Sequence, residues 1–138
     1  MIQLIYASTA TVLFSSGDLR ALLARTRERN ATAGVTGMLL HVSGAFMQVL
    51  EGDSEIVHAL YARIRRDRRH ARVVTLRIGD LDERTFAESM EFFDGTGRAS
   101  MVTGYRSATG FSHLATDPET ALQIVDEVRG DRWCARAA

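Results

Sequence analysis

Proline and cysteine are almost missing from this 138-residue chain, which has one of each, Pro118 and Cys134. A single cysteine excludes a disulfide framework and a cysteine-built metal centre, and it suits a reducing, cytoplasmic setting. Charge of one sign is missing as well, since 17 basic residues balance 17 acidic ones. That balance argues against nucleic-acid binding driven by net charge, while leaving a local basic patch open. No stretch approaches the roughly 18 uninterrupted apolar residues of a membrane span. The apolar start MIQLIYASTATVLF lacks the positive n-region of a signal peptide, because the first arginine is Arg20. There is no internal repeat and no low-complexity tract. With 46% hydrophobic residues, the chain reads as one soluble globular domain able to bury a core without staples.

What is present centres on Gly34–Gly52, GVTGMLLHVSGAFMQVLEG. Val35–His41 and Ala45–Glu51 are rich in residues that suit a pleated surface, and Ser43-Gly44 supplies a two-residue hairpin turn. Alternation in the second strand sends Phe46, Gln48 and Leu50 to one face and Met47, Val49 and Glu51 to the other. An amide between a phenylalanine and a leucine is the anomaly. Either Gln48 meets water at a partly exposed position, or it faces a polar ligand or a buried phenol.

Taken in order, Ile2–Ala7 reads as a short strand with Tyr6 and Ser8 on one face. Ser15–Asp18 offers N-cap residues for a helix to about Arg29, with Leu19, Leu22 and Leu23 as its buried stripe and Asn30 as its terminator. After the hairpin, Asp53-Ser54 starts a second helix to about Arg66, whose apolar face is Ile56, Val57, Leu60, Tyr61 and Ile64. Its end, Arg65 to His70, reads as a solvated helix terminus or as a hold on an anionic ligand through arginine forks. A lone His70 has no second and third metal ligand nearby, so no metal is expected. Val73–Ile78 reads as a fourth strand. Thr85-Phe86 and Ser89–Phe93 read as a fifth, with Met90 as core filler. Gly95–Gly110 is loop-like, and Pro118–Val128 reads as a last helix followed by Trp133 and Cys134.

The predicted class is therefore α+β, a ferredoxin-like sandwich. A βαββαββ mixed sheet carries two helices on one face, and a C-terminal helix is added. Residues 1–94 form the core, and 95–138 form a loop and a helix that pack on the sheet or on a partner.

Tyr6-Ala7-Ser8, Arg29-Asn30, Gly34–Leu40, Phe46–Gly52 and Asp67–His70 occur in an order and at spacings that together resemble the BLUF domain, a blue-light sensor that uses flavin. The resemblance covers residues 2–92. It implies a flavin (FAD, or FMN or riboflavin) between the two crossover helices, with Tyr6 and Gln48 on one edge. It implies that Ser8 and Asn30 hold the cofactor, with Asp67, Arg69 and His70 towards its ribityl and phosphate side. Light would draw an electron and then a proton from Tyr6, with Gln48 relaying the proton. Gln48 would then be left rotated or tautomerised, bonded more strongly to the flavin carbonyl, with a slight red shift in absorption.

Met90 is expected to reach Gln48. The segment Phe86-Ala87-Glu88-Ser89-Met90 departs from the family's usual pattern, being one residue shorter and lacking its tryptophan. A tryptophan/methionine exchange therefore has no place in that strand. The rival readings are a small ferredoxin-like flavin-dependent oxidoreductase, for which no acid–base pair stands out, and a nucleic-acid-binding sheet, which wants a basic surface. With no second domain recognisable in the sequence, the expectation is a stand-alone, non-enzymatic sensor. It would act through a separate protein partner or its own oligomer, with neither membrane nor nucleic acid as a direct partner.

Overall fold

The computed structural model describes residues 1–12, 15–42 and 45–94, together with 119, 122, 123, 125 and 126. The elements run β1 (Ile2–Ala10), α1 (Ser16–Ala33), β2 (Thr36–Val42), β3 (Ala45–Gly52), α2 (Ser54–Arg65), β4 (His70–Asp80) and β5 (Glu91–Asp94). They form a five-stranded sheet in the order β4-β1-β3-β2-β5. The first four strands pair antiparallel, and β5 joins β2 in parallel, which makes the sheet mixed.

Position in the sheet explains the strand sequences. β3 is central and buried along its whole length, and β1 beside it is buried from Ile2 to Ser8. Strands covered on both faces read as near-continuous apolar runs rather than alternating ones. β4 is an edge, and among its eleven residues only Leu76 is buried. One face of the sheet, with Leu4, Tyr6, Leu39, Phe46 and Leu50, joins Leu19 and Leu23 of α1 and Val57, Leu60 and Tyr61 of α2 in a single core. The residues that alternate with these on β1, β2 and β3 (Ile5, Met38, Leu40, Met47 and Val49) are fully buried as well.

Local chemistry sets the helix ends. The Ser15 hydroxyl accepts from the Asp18 amide at 3.0 Å and the Asp18 carboxylate accepts from the Ser15 amide at 3.1 Å. This capping box satisfies two backbone donors at the start of α1. At the other end Gly34 adopts φ 71°, its amide reaches the Ala31 carbonyl at 3.2 Å, and the Val35 amide reaches that of Asn30 at 2.9 Å. These are the two bonds of a Schellman motif, which needs the left-handed conformation that glycine takes without penalty. The expectation that Asn30 ends α1 is thereby corrected. Asn30 lies inside the last turn, and Gly34 is the stop signal.

Two strand limits also change. β4 begins at His70 rather than Val73, and β5 begins at Glu91, so Met90 precedes the strand instead of lying within it. From Leu81 to Met90 the chain has no regular secondary structure. The Ser43-Gly44 turn, the 95–110 loop and the Trp133–Cys134 tail lie outside the described residues. Of the expected last helix, Glu119, Leu122, Gln123, Val125 and Asp126 are helical, and Val125 is buried.

Candidate functional site

A cavity of about 530 Å³ opens between the helices over the middle of the sheet. Its floor is Tyr6, Leu39, Phe46 and Gln48. Leu22, Arg25, Thr26 and Arg29 of α1 form one wall, which is the stripe expected of residues spaced three and four apart. Arg63 and Ile64 of α2 form the other, the turn after it contributes Arg66, Asp67 and Arg69, and the start of β4 contributes His70. Five arginines against one carboxylate make this an anion-seeking enclosure with an apolar floor.

The floor carries a buried polar chain. Tyr6 and Gln48 face each other across the β1–β3 ladder, and the Tyr6 hydroxyl donates to Gln48 Oε1. Gln48 Nε2 in turn lies 3.7 Å from Met90 Sδ, so sulfur serves as a weak acceptor. Burial pushes the Tyr6 phenol far above the ordinary tyrosine range, and the neighbouring Tyr61 phenol adds to this. Tyr6 is therefore a neutral donor at any working pH. Its ring stacks at a tilt on Tyr61, centroids 5.2 Å apart, and meets His70 edge-on at 6.3 Å. Tyr61 is itself held by a 2.7 Å hydrogen bond with Thr75 and lies beneath the Arg65 guanidinium.

At the rim, Asp67 accepts from Arg69 through both Nε and Nη2, the closer contact being 2.5 Å. That pairing holds the Asp67 carboxyl down at about 2. The Arg29 guanidinium is pushed in the opposite direction from a stabilised cation. Burial lowers its pKa most, followed by the nearby charge of Arg63, with Arg69 adding a smaller push the same way. A desolvated, mutually repelling set of cations is unfavourable when empty and is relieved by a bound anion.

The expected site residues divide into three groups. Tyr6, Gln48, Asp67, Arg69 and His70 line the cavity together. Met90 stands behind Gln48, fully buried. Ser8 and Asn30 are not among the lining residues. Ser8 Oγ is bonded to His70 Nδ1 at 2.9 Å, and His70 Nε2 is bonded to the Ile64 carbonyl at 2.6 Å. Asn30 is fully buried, and its Nδ2 donates to the Ser89 carbonyl at 3.1 Å. Among the described residues its Oδ1 has no partner, and neither has the buried Arg29 Nε.

Arg29 lines the cavity and Asn30 follows it in the chain, and orphaned buried polar atoms call for a ligand that bonds them. An acceptor, a cationic rim and an apolar floor with a phenol–amide pair suit a flat, hydrogen-bonding ring system carrying phosphate, and so a flavin nucleotide fits. The sequence reading missed Arg25, Arg29 and Arg63. Leu22, Arg25, Thr26 and Arg29 share one helical face, and that spacing was the available signal. Among the described residues, no group of three or more His, Cys, Asp or Glu could hold a metal ion, and no helix is long and apolar enough to cross a membrane.

The fold and site thus define a ferredoxin-like domain with a cavity suited to a planar, anionic cofactor over a buried tyrosine–glutamine pair. The chain belongs to the BLUF family, sensors of blue light using FAD, whose family model matches residues 1–91. It is similar to the beta subunit of the photoactivated adenylate cyclase of Euglena gracilis, with 46% identity over 83 residues. That match covers 60% of this chain and 10% of the cyclase subunit. This chain thus spans about a tenth of the length of the curated relatives it matches.

Among solved structures it resembles BlsA in its ground state, with a TM-score of 0.79, 27% identity and coverage of 93% of this chain and 87% of that one. It also resembles BlrP1 of Klebsiella pneumoniae, with a TM-score of 0.67, 31% identity, 96% of this chain and 35% of that one. The fold is shared again with BlrB, a BLUF protein, at a TM-score of 0.77, 22% identity and coverage of 94% and 96%. Blue-light sensing with a flavin is accordingly the function of this domain, and the oxidoreductase reading is not favoured.

Proposed function

We propose that Tyr6 and Gln48 are the light-responsive pair of this sensor and that the flavin is carried as FAD. The observation that supports this most directly is the buried hydrogen-bonded chain from the Tyr6 phenol through the Gln48 amide to Met90 at the cavity floor. Bound flavin supplies the blue-light absorption and the electron-accepting power of its excited state. Tyr6 gives up an electron, and the acidified phenol then passes its proton to Gln48 Oε1, the atom it already bonds. When the electron returns to the Tyr6 ring a proton returns to its oxygen, and Gln48 is left rotated or tautomerised. A half-turn of the amide carries its N–H donor away from Met90 Sδ, so the Gln48–Met90 contact is where the local change leaves the pair.

Asn30 Oδ1 is a free acceptor for a ring N–H edge, and an amide beside it can also donate. Arg29, Arg63, Arg66 and Arg69 suit the diphosphate of FAD better than the neutral tail of riboflavin. Asp67 orients Arg69, and Ser8 orients His70. Residues 1–94 act as the flavin-binding core, and the 95–138 segment packs on the sheet or on a partner. The domain acts without chemistry of its own on a substrate, in the cytoplasm, through a separate protein partner or its own oligomer. That part of the proposal is supported by the apolar positions of Pro118–Trp133 and the single cysteine.

The test is an absorption spectrum before and after blue light, followed in the dark, on the wild type and on Tyr6→Phe. Oxidised-flavin bands that shift red and return in the wild type, and do not shift in Tyr6→Phe, are expected. A normal photocycle in Tyr6→Phe would remove Tyr6 from its role as donor. Sizing in dark and light tests the association, and an unchanging monomer that takes up no partner would end that part.

A further inference from the structure

The strand that carries Gln48 also carries a second polar system on its other face. Glu51 lies three positions on from Gln48, hence on the opposite side of β3, and is fully buried. Its Oε2 accepts from Gln3 Nε2 at 2.8 Å, and its Oε1 accepts from the amides of Thr85 at 2.7 Å and Phe86 at 3.0 Å. Gln3 Oε1 accepts in turn from Arg77 at 2.8 Å. The residue before Thr85, Arg84, clamps from outside, bonding Thr36 Oγ1, the Glu51 carbonyl and the Gly34 carbonyl at 2.7, 3.0 and 2.9 Å.

These bonds hold a stretch that has no regular structure of its own and that ends in Met90. Further along, the Glu88 carbonyl accepts from the Gly37 amide, that of Ser89 from Asn30, and that of Met90 from Arg27 Nε at 2.9 Å. A buried carboxylate is costly unless fully bonded, so its three donors are effectively obligatory. We infer that Glu51 is a positioning residue: its carboxylate fixes the 84–86 turn to the back of the sheet and thereby sets Met90 against Gln48. The consequence for light sensing rests on the Tyr6–Gln48 reading above, while the placement of Met90 does not.

The chemistry dictates the variants. In Glu51→Gln the new amide can still accept from Thr85 and Phe86, but its NH2 opposes that of Gln3, donor against donor. Turning Gln3 round would take its oxygen off Arg77. In the exchanged pair, Gln3→Glu with Glu51→Gln, the carboxylate now at position 3 accepts both from Arg77 and from the amide introduced at position 51. The bonds from Thr85 and Phe86 remain.

The dark-state protein with FAD bound, labelled at methionine methyls, reports Met90 by NMR, the resonance being assigned with Met90→Leu. Glu51→Gln is expected to move that resonance and to speed dark recovery about fivefold, the factor carried by one lost hydrogen bond of about 1 kcal/mol. The exchanged pair is expected to restore both. Val57→Ala, which opens the shared core from α2 and leaves every hydrogen bond of the segment intact, should lower the unfolding midpoint and move the Met90 resonance far less than Glu51→Gln does. Arg84→Gln, at an exposed side chain, should shift Met90 in the same direction as Glu51→Gln and supplies the reading where that variant does not fold.

An unmoved Met90 resonance in Arg84→Gln and Glu51→Gln would overturn the inference. So would an exchanged pair that fails to restore it, or a Val57→Ala variant that moves it equally. A shifted Met90 methyl with a Tyr6→Phe variant that still photocycles would instead uphold the placement and sink the Tyr6 reading.

Discussion

Removing either member of the Tyr6–Gln48 pair should destabilise the protein, and removing both should cost less than the sum. Tyr6 is 3% exposed and Gln48 4%, so neither can turn to water. Tyr6→Phe leaves Gln48 Oε1 without its donor, and Gln48→Leu leaves the phenol without its acceptor. Each single change strands one buried polar atom, at about 1–3 kcal/mol, whereas apolar groups of similar shape on both sides are close to neutral. Gln48→Leu also gives up the long contact to Met90 Sδ, which is the weaker of the two bonds.

The two single costs less a near-neutral double give a coupling of about 2–6 kcal/mol, well above the few tenths expected of independent sites. With a urea dependence of about 2 kcal/mol per molar, each single variant moves the midpoint down by about 0.5–1.5 M. The assay is urea unfolding of the four proteins in excess FAD, with the affinity of each measured so that the ligand contribution can be subtracted. All three variants should bind flavin and lack the reversible red shift. Additive losses, or a double variant worse than either single one, would mean that the two side chains are not mutually satisfied and would refute the reasoning.

Other outcomes follow from the same structure. Arg63→Gln and Arg66→Gln should weaken FAD more than riboflavin, by about 0.5–1 kcal/mol each at low salt, with the difference shrinking as salt rises; equal effects on both flavins would place the phosphates elsewhere. Asp67 has its pKa lowered in the folded state, so its contribution is present above the unfolded value of 3.8 and is lost as pH falls towards about 2. Wild type and Asp67→Asn should accordingly differ by a constant amount in unfolding midpoint from about pH 7 to pH 5 and converge below about pH 4. The side chain is a third exposed, so that difference is small. Gly37→Ala puts a Cβ 1.8 Å from the Val49 carbonyl oxygen of the paired strand. Backbone must move, so the loss should exceed the usual 1–3 kcal/mol or so of an overpacked core; circular dichroism melting of a normally stable variant would show the contact to be relaxed.

Near-continuous apolar runs made the central strands readable, because β1 and β3 are buried on both faces, and periodicity made α2 readable, because it shows one apolar side. What periodicity could not show was where polar residues serve the interior. Asn30 looks like a helix stop, since asparagine often is one, yet two hydrogen bonds from Gly34 and Val35 close α1 beyond it, and its amide is buried. Arg25 and Arg29 look like solvent-facing charges on a helix, and only the position of α2 across the gap reveals that they share a cavity with Arg63 and Arg69. Met90 could be paired with Gln48 only through the resemblance. The segment before it has no period at all and is held by side chains from distant strands and from α1, a set of partners that no local pattern records.

The central strand unites these features. Every residue of β3 is buried, yet it carries Gln48 towards the cavity and Glu51 towards the other face, each fully engaged. A packed core resists continuous deformation, so a change at Gln48 has two inexpensive outlets, its own amide and the contact to Met90. On the far side the Glu51 bonds pin the chain only a few residues before Met90. Met90 is thus tied on one side to Gln48, the group proposed to respond to light, and on the other, through the segment before it, to a fixed point of the sheet. If light alters Gln48 as proposed, the change therefore reaches Met90 and the pinned segment that carries it before it can spread into the packed core.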